Sequence, residues 1–204
     1  MEVLIIGAGD MSRGIGLRLV RGGHQVRIAD RDPDQAADLA EDLGDSASGE
    51  GLDSAAGAEV VILAMPYEGN KEIAGLWADQ LKGKIVVDIC NPVDYDTLDG
   101  LVTPPGKSAA DEIAEAAPGA KVVKAFNTTF SSRLANTGRL DVFIAGDDAD
   151  ARKQIASLCT DADLRPIDVG GRKHALALEA FQLLHMKVQG EIEGNWSTAL
   201  TFAP

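Results

Sequence analysis

The fold is decided near the start of the chain, where residues 2–14 read EVLIIGAGDMSRG. The apolar run from Val3 to Ile6 is typical of a strand covered on both faces, and the glycine that follows ends the strand. Gly7 permits a tight turn, and Gly9 lets backbone N–H groups approach a pyrophosphate on the N-terminus of the next helix. The pattern therefore predicts a dinucleotide-binding turn between a first strand and a first helix.

A lone glycine motif of this kind is weak evidence, but its surroundings here strengthen it. The motif follows a strand, opens a helix and precedes a second strand that ends in an acidic residue. Ser12 occupies the position of the usual third glycine, and a serine is small enough to keep the helix close to the strand. We therefore interpret Gly7, Gly9 and Ser12 as the pyrophosphate-binding turn.

The residue at the end of the second strand bears on which dinucleotide is bound. Asp30 lies 21 positions after Gly9, close to the spacing of about 20 found in dinucleotide-binding folds. A carboxylate there accepts hydrogen bonds from the ribose hydroxyls and repels a 2′-phosphate, which favours NAD. Arg31 follows directly, and its guanidinium could stack on the adenine or pair with a 2′-phosphate. The residues thus favour NAD modestly and leave NADP open.

Strand-like and helix-like segments alternate along the rest of the chain, which predicts βαβ units with right-handed crossovers. We expect an α/β protein with a Rossmann-like, doubly wound and mostly parallel sheet. Residues 1–126 should form the dinucleotide-binding core, and residues 127–204 a small α/β C-terminal lobe and tail packed with it as one body. The predicted strands are 3–6, 25–30, 59–64, 84–88, 122–126, 141–145 and 164–169, and the predicted helices are 11–20, 33–43, 71–81, 108–117, 149–159 and 172–188.

Further candidate site residues follow other predicted strands. In open α/β sheets a ligand binds outside the carboxyl ends of the strands, near the point where the strand order reverses. Met65 and Pro66 follow the third predicted strand, Asn91 the fourth and Asn127 the fifth. We expect these residues around the nicotinamide half of the cofactor, with the asparagine amides available to a carboxamide or a substrate. Cys90 has no histidine nearby in the sequence and is interpreted as a small core residue.

The composition argues against several classes of partner. The chain has 204 residues, 45% of them hydrophobic, and a formal net charge of −13, so its surface repels nucleic-acid phosphates and anionic lipid. Its longest apolar runs are strand-sized, too short for a membrane-spanning helix of about 20 residues. Its first residues do not resemble a secretory signal, and its two cysteines fit a reducing compartment. We expect a cytoplasmic protein that binds neither nucleic acid nor membranes.

The common catalytic motifs are missing from the sequence. It contains no H-E-x-x-H, C-x-x-C or G-x-S-x-G pattern, so metal-dependent proteolysis, disulfide chemistry and serine hydrolysis lack support. Oxidation of an alcohol needs a general base, but no Lys–Glu or His–Asp pair can be recognised, and His185 is interpreted as a packed helix residue. We therefore predict no catalytic residue and no metal. Hydride transfer to a planar acceptor, driven by the alignment of two rings, fits best.

Several segments together resemble one family over essentially the whole chain. They are residues 3–14, 16–19, 23–26, 125–128, 142–148 and 164–170, of which the last two read VFIAGDD and LRPIDVG. This combination is similar to the coenzyme F420-dependent NADP oxidoreductase family, and also to the reductase domain of the STEAP metalloreductases. The resemblance implies NAD(P) bound across the strand ends, a deazaflavin (coenzyme F420) or flavin docked against the nicotinamide, and direct hydride transfer between them.

The resemblance also implies roles for individual residues. Asp30 and Arg31 stand where the family has a Ser-Arg pair that holds the 2′-phosphate, so the family favours NADP whereas Asp30 itself favours NAD. A deazaflavin with an acidic tail would need a local cation, for which Arg133, Arg139 and Arg172 are the candidates. The cofactor-binding residues implied by the family and the strand ends together are Gly7, Gly9, Asp10, Met11, Ser12, Asp30, Arg31, Met65, Pro66, Asn91 and Asn127.

Two other functions remain open at this point. Relatives of β-hydroxyacid dehydrogenases or pyrroline-carboxylate reductases share the first turn but need a large helical second domain, whereas the 77 residues after Asn127 still contain predicted strands. A non-enzymatic, dinucleotide-binding redox sensor is the third hypothesis, and a tail (residues 191–204) folded into the acceptor space would favour it. The apolar tail residues Trp196, Leu200 and Phe202 also predict a homodimer.

Overall fold

The computed structural model describes residues 1–136 and 138–203, which form an eight-stranded sheet with helices on both faces. The strands are β1 (Glu2–Ile6), β2 (Gln25–Asp30), β3 (Ala47–Gly51), β4 (Val60–Leu63), β5 (Ile85–Asp88), β6 (Lys121–Lys124), β7 (Asp141–Gly146) and β8 (Arg165–Gly170). The helices are α1 (Asp10–Arg21), α2 (Pro33–Leu43), α3 (Tyr67–Leu76), α4 (Ala78–Leu81), α5 (Ala109–Ala116), α6 (Ser131–Ala135), α7 (Ala149–Asp161) and α8 (Ala175–Lys187). A turn of 3-10 helix, Arg172–His174, precedes α8.

The strand order defines the fold. The strands are arranged β3-β2-β1-β4-β5-β6-β7-β8, so the direction of winding reverses between β1 and β4. Neighbouring strands are parallel except β6 and β7, which are antiparallel. The predicted Rossmann-like, mostly parallel sheet is therefore confirmed, and its crevice lies outside the carboxyl ends of β1 and β4.

Side chains of the central strands alternate between two apolar cores, one on either face of the sheet. In β1, Val3 and Ile5 pack into the core shared with α1, α2 and α7, while Leu4 and Ile6 pack into the core shared with α3 and α5. All four side chains are fully buried. Burial on both faces explains why this run has no polar residue at alternate positions.

The edge strand β3 was not among the elements predicted from the sequence. It contains two glycines and no apolar run, so no alternating or buried pattern marks it in the sequence. It pairs with β2, and a Cβ at Gly49 would lie 2.4 Å from the backbone of Ala36 in α2. Close approach of helix and strand, rather than apolar burial, therefore accounts for the glycine at this position.

Two predicted segments differ in extent from the observed elements. The predicted helix 71–81 is instead two helices, α3 and α4, which meet at Trp77. The predicted strand 122–126 ends at Lys124, and Phe126 adopts a left-handed φ of 62°. The short helix α6, which follows this turn, has no counterpart among the predicted elements.

The last two strands run against the direction of the first six. The strands β7 and β8 are parallel to each other, and Pro166 of the edge strand β8 is paired in register with Val142. The antiparallel pairing of β6 with β7 is the exception within the mostly parallel sheet that the alternation of elements predicts.

The tail folds back onto its own chain. Thr129 and Ala199 form an isolated antiparallel bridge, and the rings of Phe143 and Phe202 meet edge-on with centroids 5.5 Å apart. The N–H of Phe202 donates a hydrogen bond of 2.8 Å to Asp141. Among the helices of the described residues, none is both long and apolar enough to cross a membrane.

Candidate functional site

A cavity of about 630 Å³ lies at the carboxyl edge of the sheet. Residues that follow β1, β4, β5 and β6 supply most of its lining, and α8 contributes to one wall. Four strand ends therefore meet at this cavity, as the reversal of strand order requires. The predicted site residues that line it are Gly9, Asp10, Met11, Met65, Pro66, Asn91 and Asn127.

The glycine turn has the backbone geometry that a phosphate group needs. Gly7 has a φ of 111°, and a Cβ there would lie 2.9 Å from the carbonyl oxygen of Ala64. A Cβ at Gly9 would meet nothing within 4 Å, so open space borders the start of α1. No side chain caps this helix, which leaves its first N–H groups for an anion. The turn fits a pyrophosphate.

Ser12 and Gly14 lie beneath the turn, outside the cavity. Ser12 is fully buried, and its hydroxyl has no hydrogen-bond partner in the described part of the chain. A Cβ at Gly14 would lie 2.8 Å from the Cβ of Leu134 in α6, and Arg18 donates from Nε to the Leu134 carbonyl over 2.8 Å. These contacts hold α6 against α1 and keep Ser131, at the start of α6, in the cavity wall.

Asp30 and Arg31 lie away from the main cavity. The Asp30 carboxylate accepts hydrogen bonds from the N–H groups of Ala8, at 2.9 Å, and Asp32, at 3.0 Å. It therefore borders the glycine turn. Arg31 lines a second cavity of about 230 Å³, and Met65 borders both cavities. The other residues around the second cavity are Leu52, Gly69, Glu72, Ile73 and Leu76.

Asn91 and Asn127 hold each other in place. The Nδ2 of Asn127 donates to the Oδ1 of Asn91 over 2.9 Å, and the Nδ2 of Asn91 donates to the Asn127 carbonyl over 2.9 Å. Asn127 is 2% exposed, and its side-chain oxygen has no partner among the described residues. A buried acceptor without a donor costs about 1–3 kcal/mol. This atom therefore fits an amide N–H of a ligand, such as the nicotinamide carboxamide.

The structure contains a buried Lys–Glu pair that could not be recognised in the sequence. The ammonium group of the fully buried Lys124 donates to Asp88 over 2.8 Å, to Glu179 over 2.7 Å, and to the Cys90 carbonyl. Glu179 also accepts from the N–H of Ala109 over 3.0 Å. The two partners of Lys124 are 36 and 55 positions away in the sequence, so spacing could not reveal them. This ion cluster joins β5, β6 and α8 behind the cavity, so it supports the site rather than acting as a general base.

Burial controls ionisation in this ion cluster. Desolvation raises the pKa of Glu179 to about 7, although Lys124 opposes the shift. Desolvation and the neighbouring Asp88 raise the pKa of the Cys90 thiol well above its usual range. A thiol in that state is a poor nucleophile. Cys90 is therefore a core residue at the cavity edge rather than a catalytic group.

Two lining residues of α8, Gln182 and Met186, were not predicted. They belong to the buried face of α8, where Leu178, Glu179 and His185 also lie, and the spacing is that of one helical stripe. Polar residues within such a stripe are the signal that could have identified this wall. Other lining residues that were not predicted include Ile89, Tyr95, Val102, Thr129 and Phe130.

The described wall of the cavity lacks positive charge. No Lys, Arg or His is among the described lining residues, whereas Asp10 and Glu68 are. Arg172 forms ion pairs with two aspartates elsewhere, and neither Arg133 nor Arg139 lines the cavity. None of the three candidate cations therefore stands in the described wall beside an anionic acceptor.

The doubly wound sheet, the open glycine turn and the cavity at the strand ends define a dinucleotide-binding protein. Residues 2–92 match the family described as NADP oxidoreductase coenzyme F420-dependent. The F420-dependent NADP reductase of Methanocaldococcus jannaschii is 30% identical over 197 residues, which cover 88% of this chain and 88% of that protein. The chain belongs to the coenzyme F420-dependent NADP oxidoreductase family.

Two further proteins are similar to this chain over most of its length. A solved structure of a putative F420-dependent NADP reductase from Arthrobacter sp. FB24 is 28% identical, covers 100% of both chains and superposes with a TM-score of 0.83. Metalloreductase STEAP3 of Rattus norvegicus is 31% identical over 185 residues, which cover 89% of this chain but 36% of that protein. The chain thus spans about a third of the length of STEAP3.

Proposed function

We propose that the protein transfers a hydride between a nicotinamide cofactor and a second planar ring, such as deazaflavin (coenzyme F420), a flavin or a similar acceptor. The extent of the 630 Å³ cavity carries this proposal. It reaches from Gly9 past Asn127 to Gln182 and Met186 of α8, so a nicotinamide at the strand ends leaves room for another ring. No described tail residue lines this space, which argues against the redox sensor.

The residues present would bind and orient both partners. Backbone N–H groups at the start of α1 would hold the pyrophosphate beside Gly9, and Asn127 would accept a hydrogen bond from the carboxamide. When bound, the dinucleotide supplies the hydride. Apolar residues such as Met65, Pro66 and Ile89 would keep water from the reacting faces, and alignment of the rings would supply most of the rate. Direct hydride transfer of this kind requires no general base from the described residues.

We propose NAD as the preferred dinucleotide, in contrast to the NADP in the names of the relatives. The support is the Asp30 carboxylate, which borders the glycine turn and would face a 2′-phosphate at short range. Arg31 lines the second cavity and is the group that favours NADP. Because Asp30 is partly buried whereas Arg31 is exposed, water screens the guanidinium more than the carboxylate, and Asp30 should outweigh its neighbour.

Rapid mixing tests the proposed function. The protein is mixed with NADH or NADPH and, in separate runs, with F420, FMN or riboflavin, while the nicotinamide absorbance is followed. We expect oxidation that depends on an acceptor. Absence of oxidation with every pair would contradict hydride transfer and leave dinucleotide binding alone.

Gly9→Val is the matching loss-of-function variant. Gly9 has an extended φ of −85° and open space around its missing side chain, so valine should fit the fold and fill the phosphate position. Turnover should be abolished while the circular dichroism spectrum is unchanged. Gly190→Val serves as the control, because a Cβ there also meets nothing within 4 Å and this exposed residue is not among those that line the cavity.

We also propose a homodimer, formed through α8 rather than through the tail. Phe181, Leu184 and Val188 are 42%, 62% and 39% exposed and lie on one outward stripe of the helix. Leu200, which was predicted to lie at the interface, instead packs near Phe143 within its own chain. The helix therefore offers a continuous apolar stripe, whereas the exposed Trp196 (49%) and Phe202 (60%) of the tail lie on no common helix or strand.

The two cysteines and the net charge bear on where the protein works and on what it binds. Cys90 and Cys159 are both buried and unpaired, which supports the reducing cytoplasm as the proposed location. The proposed partner is a small redox molecule, and the net charge of −13 disfavours nucleic acid.

A further inference from the structure

Two neighbouring threonines after β6 carry buried hydroxyl groups without partners. Thr128 and Thr129 are 1% and 3% exposed, and neither hydroxyl oxygen has a hydrogen-bond partner among the residues that the structure describes. Of the two, Thr129 lines the 630 Å³ cavity and Thr128 does not. Because a buried hydroxyl is costly to leave unpaired, the hydroxyl of Thr129 is a candidate for a ligand contact.

The side chain of Asn127, two positions earlier, also has an unpaired atom, and Asn127 lines the same cavity. The Nδ2 of Asn91 donates to the Asn127 carbonyl, so the Oδ1 of Asn91 faces the Asn127 side chain and accepts from its Nδ2. These two hydrogen bonds fix the orientation of the Asn127 amide. The atom left unpaired within the described chain is therefore its Oδ1, which can only accept.

Asn127 and Thr129 are close enough for one small group to contact both side chains. Their Cα atoms are at most about 7 Å apart, because two peptide units span no more than that. A carboxamide holds its nitrogen and its oxygen about 2.3 Å apart, and a hydrogen bond of about 2.9 Å on each side spans a gap of this size. A single carboxamide can therefore reach both residues.

The two unpaired atoms complement the two ends of a carboxamide. The Oδ1 of Asn127 takes an N–H from the amide nitrogen, and the hydroxyl of Thr129, which rotates to suit its partner, donates to the amide oxygen. Ser131 also brings a hydroxyl to the cavity wall, but it is partly exposed, so water can satisfy it. Thr129 is therefore the donor that gains most from a ligand.

The tail holds the backbone of Thr129 in place. Thr129 forms an isolated antiparallel bridge with Ala199, and the N–H of Leu200 donates to the Thr128 carbonyl over 3.3 Å. A donor on a segment that is already fixed loses little conformational freedom when a ligand binds. The tail thus contributes to the cavity through Thr129, although no described tail residue is among those that line it.

We propose that the Oδ1 of Asn127 and the hydroxyl of Thr129 together bind the carboxamide of the nicotinamide, with Thr129 as the donor to the carboxamide oxygen. This inference rests on the proposed function, which puts the nicotinamide at the strand ends, and deepens it by naming the residue that sets the orientation of the ring. Turning the ring over about its glycosidic bond would carry the carboxamide away from both side chains. The pair therefore selects which face of the ring meets the second substrate.

Thr129→Val removes the hydroxyl at nearly constant shape. Thr128→Val is the matched control, because it removes a hydroxyl that is also buried and unpaired but lies outside the cavity lining. Calorimetric titration measures the affinity of each variant for NAD. We expect binding about tenfold weaker for Thr129→Val, because the carboxamide oxygen loses its donor. Thr128→Val should bind NAD as the wild type does, and so should Thr129→Ser, which keeps the hydroxyl.

Three results would overturn this role of Thr129. The first is a Thr129→Val variant that binds NAD as tightly as the wild type. The second is an equal loss of affinity in Thr128→Val, which would show that the effect passes through the fold. The third is a lower melting temperature of Thr129→Val without ligand, which would show that the hydroxyl is used within the chain.

Two analogues of NAD identify the end of the carboxamide that Thr129 contacts. In thionicotinamide adenine dinucleotide, sulfur, a weak acceptor, replaces the amide oxygen, so Thr129→Val should change its affinity by less than about twofold. In 3-acetylpyridine adenine dinucleotide, a methyl group replaces the amide nitrogen and the carbonyl remains, so the loss should again be about tenfold. The same fold-change for all three dinucleotides would contradict a contact with the carboxamide oxygen.

Hydride transfer is tested separately, by rapid mixing of NADH with F420, FMN or riboflavin. If the binding results are as expected but no acceptor oxidises NADH, the carboxamide contact stands and the proposed function is wrong. If NADH is oxidised and Thr129→Val binds NAD as the wild type does, the proposed function stands and the role of Thr129 is wrong.

Discussion

Asp30 is the residue at which the family resemblance and the chemistry of this chain disagree. Its carboxylate accepts the N–H groups of Ala8 and Asp32 and would face a 2′-phosphate. Asp30→Ser removes the charge and keeps a hydroxyl acceptor. We expect NADP affinity to rise at least about tenfold relative to NAD, which corresponds to about 1.4 kcal/mol. Calorimetric titration of both dinucleotides into the wild type and the variant measures this ratio.

Asp38→Ser is the control for this change, since Asp38 is an exposed acid on α2 outside both cavities. It should leave the ratio of NADP to NAD affinity unchanged. If Asp30→Ser leaves the ratio unchanged as well, the preference is set by another group, and the proposal of NAD as the preferred cofactor is wrong.

Single residues were predictable where the pattern is local. Gly7, Gly9 and Asp30 lie within one βαβ unit, so their spacing alone places them around a common turn. The contacts of Lys124 and Gln182 depend on which helix the folded chain packs against the strand ends. Glu179 lies 55 positions from Lys124, and no local pattern encodes that distance. Long-range packing therefore decides the part of the site that the sequence could not predict.

At the scale of elements, α8 is tied to the sheet by the ion cluster of Lys124, Asp88 and Glu179. Burial raises the pKa of Glu179 from 4.5 to about 7, so the folded protein holds this proton more tightly than the unfolded chain. The resulting stabilisation is complete below pH 4.5 and is lost as the pH rises through about 7, by on the order of 2–3 kcal/mol. Urea unfolding at several pH values measures it.

Glu179→Gln supplies the matching variant, because a neutral amide mimics the protonated acid. Its free energy of unfolding should lack this fall between pH 4.5 and 7, and the difference from the wild type isolates Glu179 from other titrating groups. Glu41→Gln, at an exposed position of α2, should retain the fall. If the free energies of unfolding of the wild type and of Glu179→Gln change in parallel between pH 4.5 and 7, then Glu179 is ionised in the folded protein over this whole range.

Elements were predictable in proportion to their burial. The strands β4 and β5 are buried along their whole length and β1 is buried from Val3 to Ile6, and their continuous apolar runs mark them. The strand β3 and the helix α6 escape prediction because neither carries a repeating apolar pattern: β3 packs through Gly49, and the five-residue α6 is held by the buried Leu134 and by the Arg18 side chain, which donates to its backbone. The direction of β7 also depends on the turn at Phe126, which a short-range pattern does not specify.

For the whole molecule, the proposed dimer makes a clear prediction. Light scattering should give twice the mass of one chain, and Leu184→Lys should return the mass to that of the monomer by placing a charge in the apolar stripe of α8. Leu76→Lys, at an exposed position of α3, is the control because Leu76 is 76% exposed on another face. A wild type with the mass of a single chain would refute the dimer.

The two outermost strands have a consequence for how copies of this chain behave when crowded. In β8, Pro166 has no N–H to offer an incoming strand, and in β3, Glu50 is engaged by Arg27. One edge strand therefore lacks an N–H donor, and the other carries charged side chains. Both features hinder the edge-to-edge pairing of sheets that leads to fibres. The molecule should stay dispersed at high concentration, with any ordered pairing left to its helices.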